Sequence, residues 1–235
     1  MIPLKKALTS PVGRKFVMSI SGIALVLFVI VHLLGNLTLY VPDGGETFNR
    51  YAAGFEAMGP FLYVIELGLL AVILIHIGWG ITTAIKNRKA RPEDYDESTE
   101  TKGGPSRLSL ASKNMVVSGV VLGFFLIVHI WHFRVRKDFV GETTEVDGQE
   151  ATNLYAMVHE AFADPFWVVF YVGCMVFLAF HLRHGFWSAL QSLGAMKPEW
   201  SKAIYAIGFF VAVVLAVGFM GIPLYIYFVD LPPPV

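Results

Sequence analysis

Seven histidines occur in this chain, and four of them, His32, His76, His129 and His181, each lie deep in a separate apolar run. Ionisable side chains at membrane depth are costly unless they face a partner, so they mark functional sites. Neutral imidazole is a metal ligand, and a histidine from each of two helices can hold one iron between them, as bis-imidazole ligation of haem requires. Four such residues provide for two haem b groups. A histidine-lined path for protons or metal ions is the other chemistry these residues could support. Three further groups stand out. Arg183 and His184 accompany His181 in F-L-A-F-H-L-R-H-G-F-W-S-A-L, and Glu66 is the only carboxylate inside an apolar run.

The elements that must position these groups follow from the apolar runs, which predict membrane-spanning helices at about 16–40, 61–85, 114–133, 165–190 and 203–229. The expected fold is an all-α membrane protein, a single domain over 1–235 forming a five-helix bundle around two haems. Ser10 and Pro11 read as an N-cap and first helical residue. The run that follows is too long for the apolar core of a signal peptide. After a turn at Pro42–Gly45, Phe48, Tyr51, Ala52, Phe55 and Met58 recur at helical spacing, which suits a helix lying on the membrane surface. A second surface helix is expected around Leu154–Phe162. The polar 86–113 linker, broken by Gly-Gly-Pro, carries nothing assignable to chemistry. The last helix lacks ionisable residues and is expected only to pack. No internal repeat is read.

At about 1.5 Å per residue, His32 and His129 lie about 23 Å from the cytoplasmic end of their helices, and His76 and His181 about 14 Å. His32 therefore pairs with His129 and His76 with His181, at levels about 9 Å apart. His129/His132 and His181/His184 are each three residues apart, so helical face alone does not choose within a doublet; depth favours His129 and His181. Gly35, Gly78, Gly80, Gly123 and Gly185 lie near the deep histidines, where they either clear room for a flat macrocycle or let helices pack closely.

Composition narrows the class. Of 235 residues 55% are hydrophobic and 15% charged, with zero formal net charge, which indicates a polytopic membrane protein embedded in lipid rather than a nucleic-acid binder. The single cysteine, Cys174, makes no internal disulfide, ligates no iron–sulfur cluster alone, and reads as a small core residue. Without G-x-G-x-x-G, a P-loop or C-x-x-C, any flavin or cluster belongs to another chain. Most of the 18 lysines and arginines fall in the amino-terminal segment, the 86–113 linker and the 191–202 connection. Those segments are therefore expected to be cytoplasmic, with the carboxyl terminus outside. Arg134, Arg136 and Lys137 break that bias on the outer side.

S-P-V-G-R-K at Ser10–Lys15, F-V-I-V-H-L-L-G-N-L at Phe28–Leu37, H-I-W at His129 and H-L-R-H-G-F-W-S at His181 occur in this order. Together they resemble the cytochrome b subunit of succinate dehydrogenase and fumarate reductase, in its five-helix, dihaem, single-anchor form, over nearly the whole chain. The resemblance implies axial ligands at His32, His76, His129 and His181. It also implies an iron–sulfur subunit and a flavoprotein as partners in a prokaryotic respiratory chain, linked to the tricarboxylic acid cycle, and electron exchange with a membrane quinone, menaquinone in this type. The chain departs from the plainest family pattern at His184 and in the charged linker. The cytochrome b anchors of hydrogenase or formate dehydrogenase are the nearest alternative, and a membrane transporter is the more distant one.

Two further roles are expected. Arg183 and the Arg134, Arg136, Lys137 cluster either neutralise haem propionates or, for Arg183, snorkel to the headgroups. Glu66 is expected at an outer quinone site, where a carboxylate can exchange the protons of quinone chemistry, a role that family members place on the matching glutamate. Its plainer alternative is a hydrated group at the interface.

Overall fold

The computed structural model describes residues 3–89, 115–136 and 142–229. Five of its helices are long and apolar enough to cross a membrane, so the chain is a multi-pass membrane protein. A short helix α1 (Leu4–Thr9) leads into α2 (Pro11–Asn36), which tightens into a 3₁₀ turn at Leu37–Tyr40. Helix α3 (Glu46–Glu56) lies across the end of the bundle, and α4 (Pro60–Lys89) returns. Helix α5 (Met115–Ile130) widens into a π turn at Trp131–Val135. Strands β1 (Thr143–Val146) and β2 (Gln149–Thr152) and helix α6 (Leu154–Ala163) follow, then α7 (Pro165–Ser192) and α8 (Pro198–Phe228). The polar stretch 90–114, most of the expected linker, lies outside the described residues.

Helix starts are set by caps rather than by hydropathy. The Ser10 hydroxyl accepts from the Gly13 N–H at 3.0 Å with Pro11 in the first turn, and Asp164 accepts from the Phe166 N–H at 2.8 Å before Pro165. Helix α2 accordingly begins at Pro11, five residues ahead of the apolar run that predicted it, and α8 begins at Pro198, also five residues ahead, with proline in its first turn and no side-chain cap.

Helix α7 is central, packing on α2, α5 and α8, while α4 lies against α2 and α5. Leu33, Tyr171, Leu182, Leu215, Ile222 and Ile226 are buried between helices, whereas Leu27, Leu67, Phe210 and Val217 face outward as apolar groups do in lipid. A Cβ on Gly218 would come 2.7 Å from Leu33, so α8 meets α2 at close range.

The connections at one end form a cap. Asn49 of α3 donates to Asn153 at 2.9 Å and accepts from the Tyr155 N–H at 2.9 Å, and Arg50 bridges to Asp147 at 3.0 Å. The all-helical expectation missed the antiparallel hairpin within this cap. Its Asp147-Gly148 turn, with φ of 51° and 77°, is the Asp-Gly signature of a two-residue hairpin loop. Before α3, Asp43 accepts from the Thr47 hydroxyl and from the N–H groups of Gly45 and Thr47. The Thr47 hydroxyl, with these backbone donors, holds the Asp43 carboxyl below its ordinary pKa.

Candidate functional site

The four deep histidines meet in two pairs, joined as the depth count joins them. His76 of α4 and His181 of α7 have ring centres 6.3 Å apart and planes at 68°. His32 of α2 and His129 of α5 stand 5.8 Å apart at 86°. Imidazoles on opposite sides of one metal, with metal–nitrogen bonds of about 2.0–2.1 Å, have ring centres roughly 6 Å apart. All four rings line one cavity of about 2400 Å³, more than twice the roughly 1,000 Å³ at the upper end for drug-sized ligand pockets.

The first pair has a hydrogen-bonded support. Ser21 of α2 donates to the Val17 and Met18 carbonyls at 2.8 and 3.1 Å, and its Oγ lies 3.2 Å from His76 Nδ1. Ser118 of α5 donates to the Met115 carbonyl at 3.1 Å and lies 3.2 Å from His181 Nδ1. A hydroxyl whose proton is committed to the backbone accepts from the ring, so Nδ1 carries the proton and Nε2 keeps its lone pair. Beside these serines, a Cβ on Gly22 would lie 3.3 Å from His76 Cε1, and one on Gly119 would lie 3.7 Å from His181 Cε1.

These contacts expose a repeat that sequence reading did not find. Ser21-Gly22 and Ser118-Gly119 precede His32 and His129 by the same spacing, and Pro60 and Pro165 each stand 16 residues before His76 and His181. Helices α2 and α4 with α3 between them, and α5 and α7 with α6 between them, therefore share one spacing of serine, glycine, proline and histidine. Each helix pair bonds its own serine to its own histidine. The matching residues are sparse, and only their spacing carries the signal. The eleven residues from Ser21 to His32, and from Ser118 to His129, put the two levels about 16 Å apart along the axis. This replaces the shorter depth estimate, which left out the first turn and more of α2.

Aromatic packing holds the second pair. Phe28 stacks on His32 and Phe125 on His129, each with ring centres 5.4 Å apart. His129 Nδ1 is buried without a hydrogen-bond partner among the described residues, as is His184 Nδ1. Of the doublets, His184 lines the cavity, whereas His132 is buried against Phe133 and Trp167, its Nδ1 3.4 Å from the Tyr171 hydroxyl. His159 lies on α6 and bonds the Tyr155 carbonyl at 3.1 Å.

Charged groups gather toward the capped end. Arg134, in the π turn of a kind frequent at functional sites, grips both carboxylate oxygens of Glu66 at 2.7 and 3.2 Å. Both residues line the cavity. Arg136 pairs with Glu160 at 2.7 Å, and Lys137 lies outside the described residues. Arg183, expected either at a propionate or snorkelling, is exposed, outside the cavity lining, 5.6 Å over the Phe209 ring. The glycines divide as well. Gly123 and Gly185 line the cavity with open space where a Cβ would stand, whereas Gly35 makes room for Tyr51. Sequence reading also passed over Glu56, a lining residue at the end of α3 that accepts from the Thr152 hydroxyl at 3.1 Å.

The fold and site define a multi-pass helical membrane protein in which two helix pairs of matching residue spacing bring four histidines together in two pairs. No family model, curated protein or solved structure matches the chain.

Proposed function

We propose that this chain is the dihaem cytochrome b anchor subunit of a succinate:quinone oxidoreductase, carrying electrons between an iron–sulfur subunit and membrane quinone, with dicarboxylate chemistry on a partner flavoprotein. The observation that carries this reading is the paired histidines, each pair joining two helices inside one large cavity. The residues fit two haems. The ring separations match axial ligation, the bare Nε2 atoms of His76 and His181 are suitable donors, and the unpartnered Nδ1 of His129 and the open faces of Gly123 and Gly185 leave room for a planar group. Haem, when bound there, supplies one-electron redox chemistry.

The protein's own groups do the rest. Ser21 and Ser118 fix the tautomer and orientation of one histidine pair, and the stacked Phe28 and Phe125 orient the other. Glu66 exchanges protons with the quinone, held in place by the Arg134 fork. Counting 105 residues on from Glu66, as from Pro60 to Pro165, the second helix pair carries Tyr171. It packs against Phe125, Phe133 and Phe162, so only one helix pair offers a carboxylate. The reading places the chain in a prokaryotic cell membrane with the amino terminus cytoplasmic and the capped end outside, in line with the distribution of lysine and arginine.

An absorption spectrum of the purified complex, read with its substrate specificity, tests the proposal. Sharp reduced bands from two haem b groups and succinate-driven reduction of a naphthoquinone are expected. Absence of haem bands would overturn it. Two haems reduced by hydrogen or formate but not by succinate would move the chain to the alternative anchor class.

A further inference from the structure

We infer that the Tyr51 hydroxyl donates a hydrogen bond to a quinone carbonyl at the capped end of the cavity, which makes Tyr51 a substrate-binding residue of the cavity that Glu66 also lines; this rests on the quinone reading above. Helix α3 turns Phe48, Tyr51, Ala52 and Phe55 toward the cavity. The Tyr51 ring crosses α2 at Gly35, where any Cβ would overlap the hydroxyl and the ring. Gly35 is one turn beyond His32, so the phenol is brought to a level within about 5 Å of that histidine along the axis. Half-buried tyrosine hydroxyls ordinarily find a partner, yet this one makes no hydrogen bond among the described residues. Burial raises its pKa, which keeps the proton in place.

A quinone carbonyl only accepts hydrogen bonds, and the Tyr51 phenol, unlike the Arg134 fork engaged with Glu66, offers it a neutral donor. Phe55, edge-on to Tyr51 at 5.2 Å, with Leu62 and Ile65 on α4, gives the apolar wall that a flat ring needs. Glycine at position 35 is then a clearance for a binding group of α3, and not a cradle for a macrocycle.

Tyr51→Phe keeps the ring over Gly35 and removes the hydroxyl. In the detergent-solubilised complex, calorimetric binding of a soluble short-chain naphthoquinone should weaken roughly two- to tenfold, the loss of one neutral hydrogen bond. KM for the same quinone should rise by a similar factor, with kcat within about twofold and the absorption spectrum unchanged. Gly35→Ala, which displaces the ring, should shift binding in the same direction. Wild-type affinity in Tyr51→Phe would overturn the inference while leaving the quinone reading intact. A wild-type complex that binds no quinone would defeat both.

Discussion

Removing the Ser118 hydroxyl is the sharpest test of how the first histidine pair is built. The side chain is almost fully buried and already bonded to its own helix, so Ser118→Ala leaves the α5 backbone ladder intact and slightly favours the helix. What is lost is the acceptor for His181 Nδ1–H. A hydrogen-bonded imidazole is the more basic ligand and favours ferric over ferrous iron. Its loss should therefore raise the potential of the haem proposed to lie between His76 and His181. A neutral hydrogen bond is worth about 0.5–1.5 kcal/mol, and at 3.2 Å this one is long. Even if all of that were differential between oxidation states, the shift would be about 20–65 mV, using roughly 59 mV per tenfold change for one electron. On the dihaem reading, spectroelectrochemical titration should resolve two components, one moving up by a few tens of millivolts while the other stays. Ser21→Ala should move the same component, because Ser21 supports the other ring of that pair. Movement of different components in the two variants, or of neither, would refute the pairing of support with ligand.

Other perturbations read different parts of the site. His181→Ala should remove one haem and leave the other's spectrum largely intact; retention of both would transfer ligation to His184. Glu66→Gln should cut quinone-linked turnover at least tenfold with both haems retained and succinate oxidation by an artificial acceptor intact, and undiminished quinone activity would remove Glu66 from the site. Arg183→Gln should leave both haem potentials unchanged, because Arg183 sits over Phe209 outside the cavity; a lowered potential in redox titration would contradict that placement. The Asp43 carboxyl, depressed by its Thr47 and backbone donors, stabilises the turn fully above its unfolded pKa of about 3.9 and loses that contribution as pH falls through the lower folded value. Hydrogen exchange at the Gly45 and Thr47 amides should thus quicken below about pH 4 once intrinsic rates are removed, and flat protection to about pH 2 would refute it.

The sequence made the spans and the histidine pairs legible for one physical reason. Lipid tolerates long apolar helices and penalises an isolated imidazole, so both stand out from composition and spacing alone. What it hid was whatever depends on direction around a helix. Arg183 is close to His181 in sequence yet points to another face, and depth along a helix does not report that. Gly35 was legible as a missing side chain, but not that the occupant of the space is Tyr51 from a separate surface helix. Ser21 and Ser118 are ordinary residues for membrane helices, and only their contacts with histidines on α4 and α7 give them a role. The hairpin was readable from Val146-Asp147-Gly148-Gln149 and was overlooked inside a stretch dominated by charge.

The matched spacing of the two helix pairs makes the histidine arrangement symmetric, while the capped end is one-sided. His32 and His129 are equivalent positions, as are His76 and His181, so each histidine pair lies where the two helix pairs meet and neither helix pair could build one alone. Near the capped end the two helix pairs differ in charge. Position 66 is glutamate in the first, and its counterpart is Tyr171. Arg134, in the second, corresponds by the 97-residue offset of the serines to Leu37 in the first. The Glu66–Arg134 pair is therefore made of two residues whose counterparts, tyrosine and leucine, could form no ion pair.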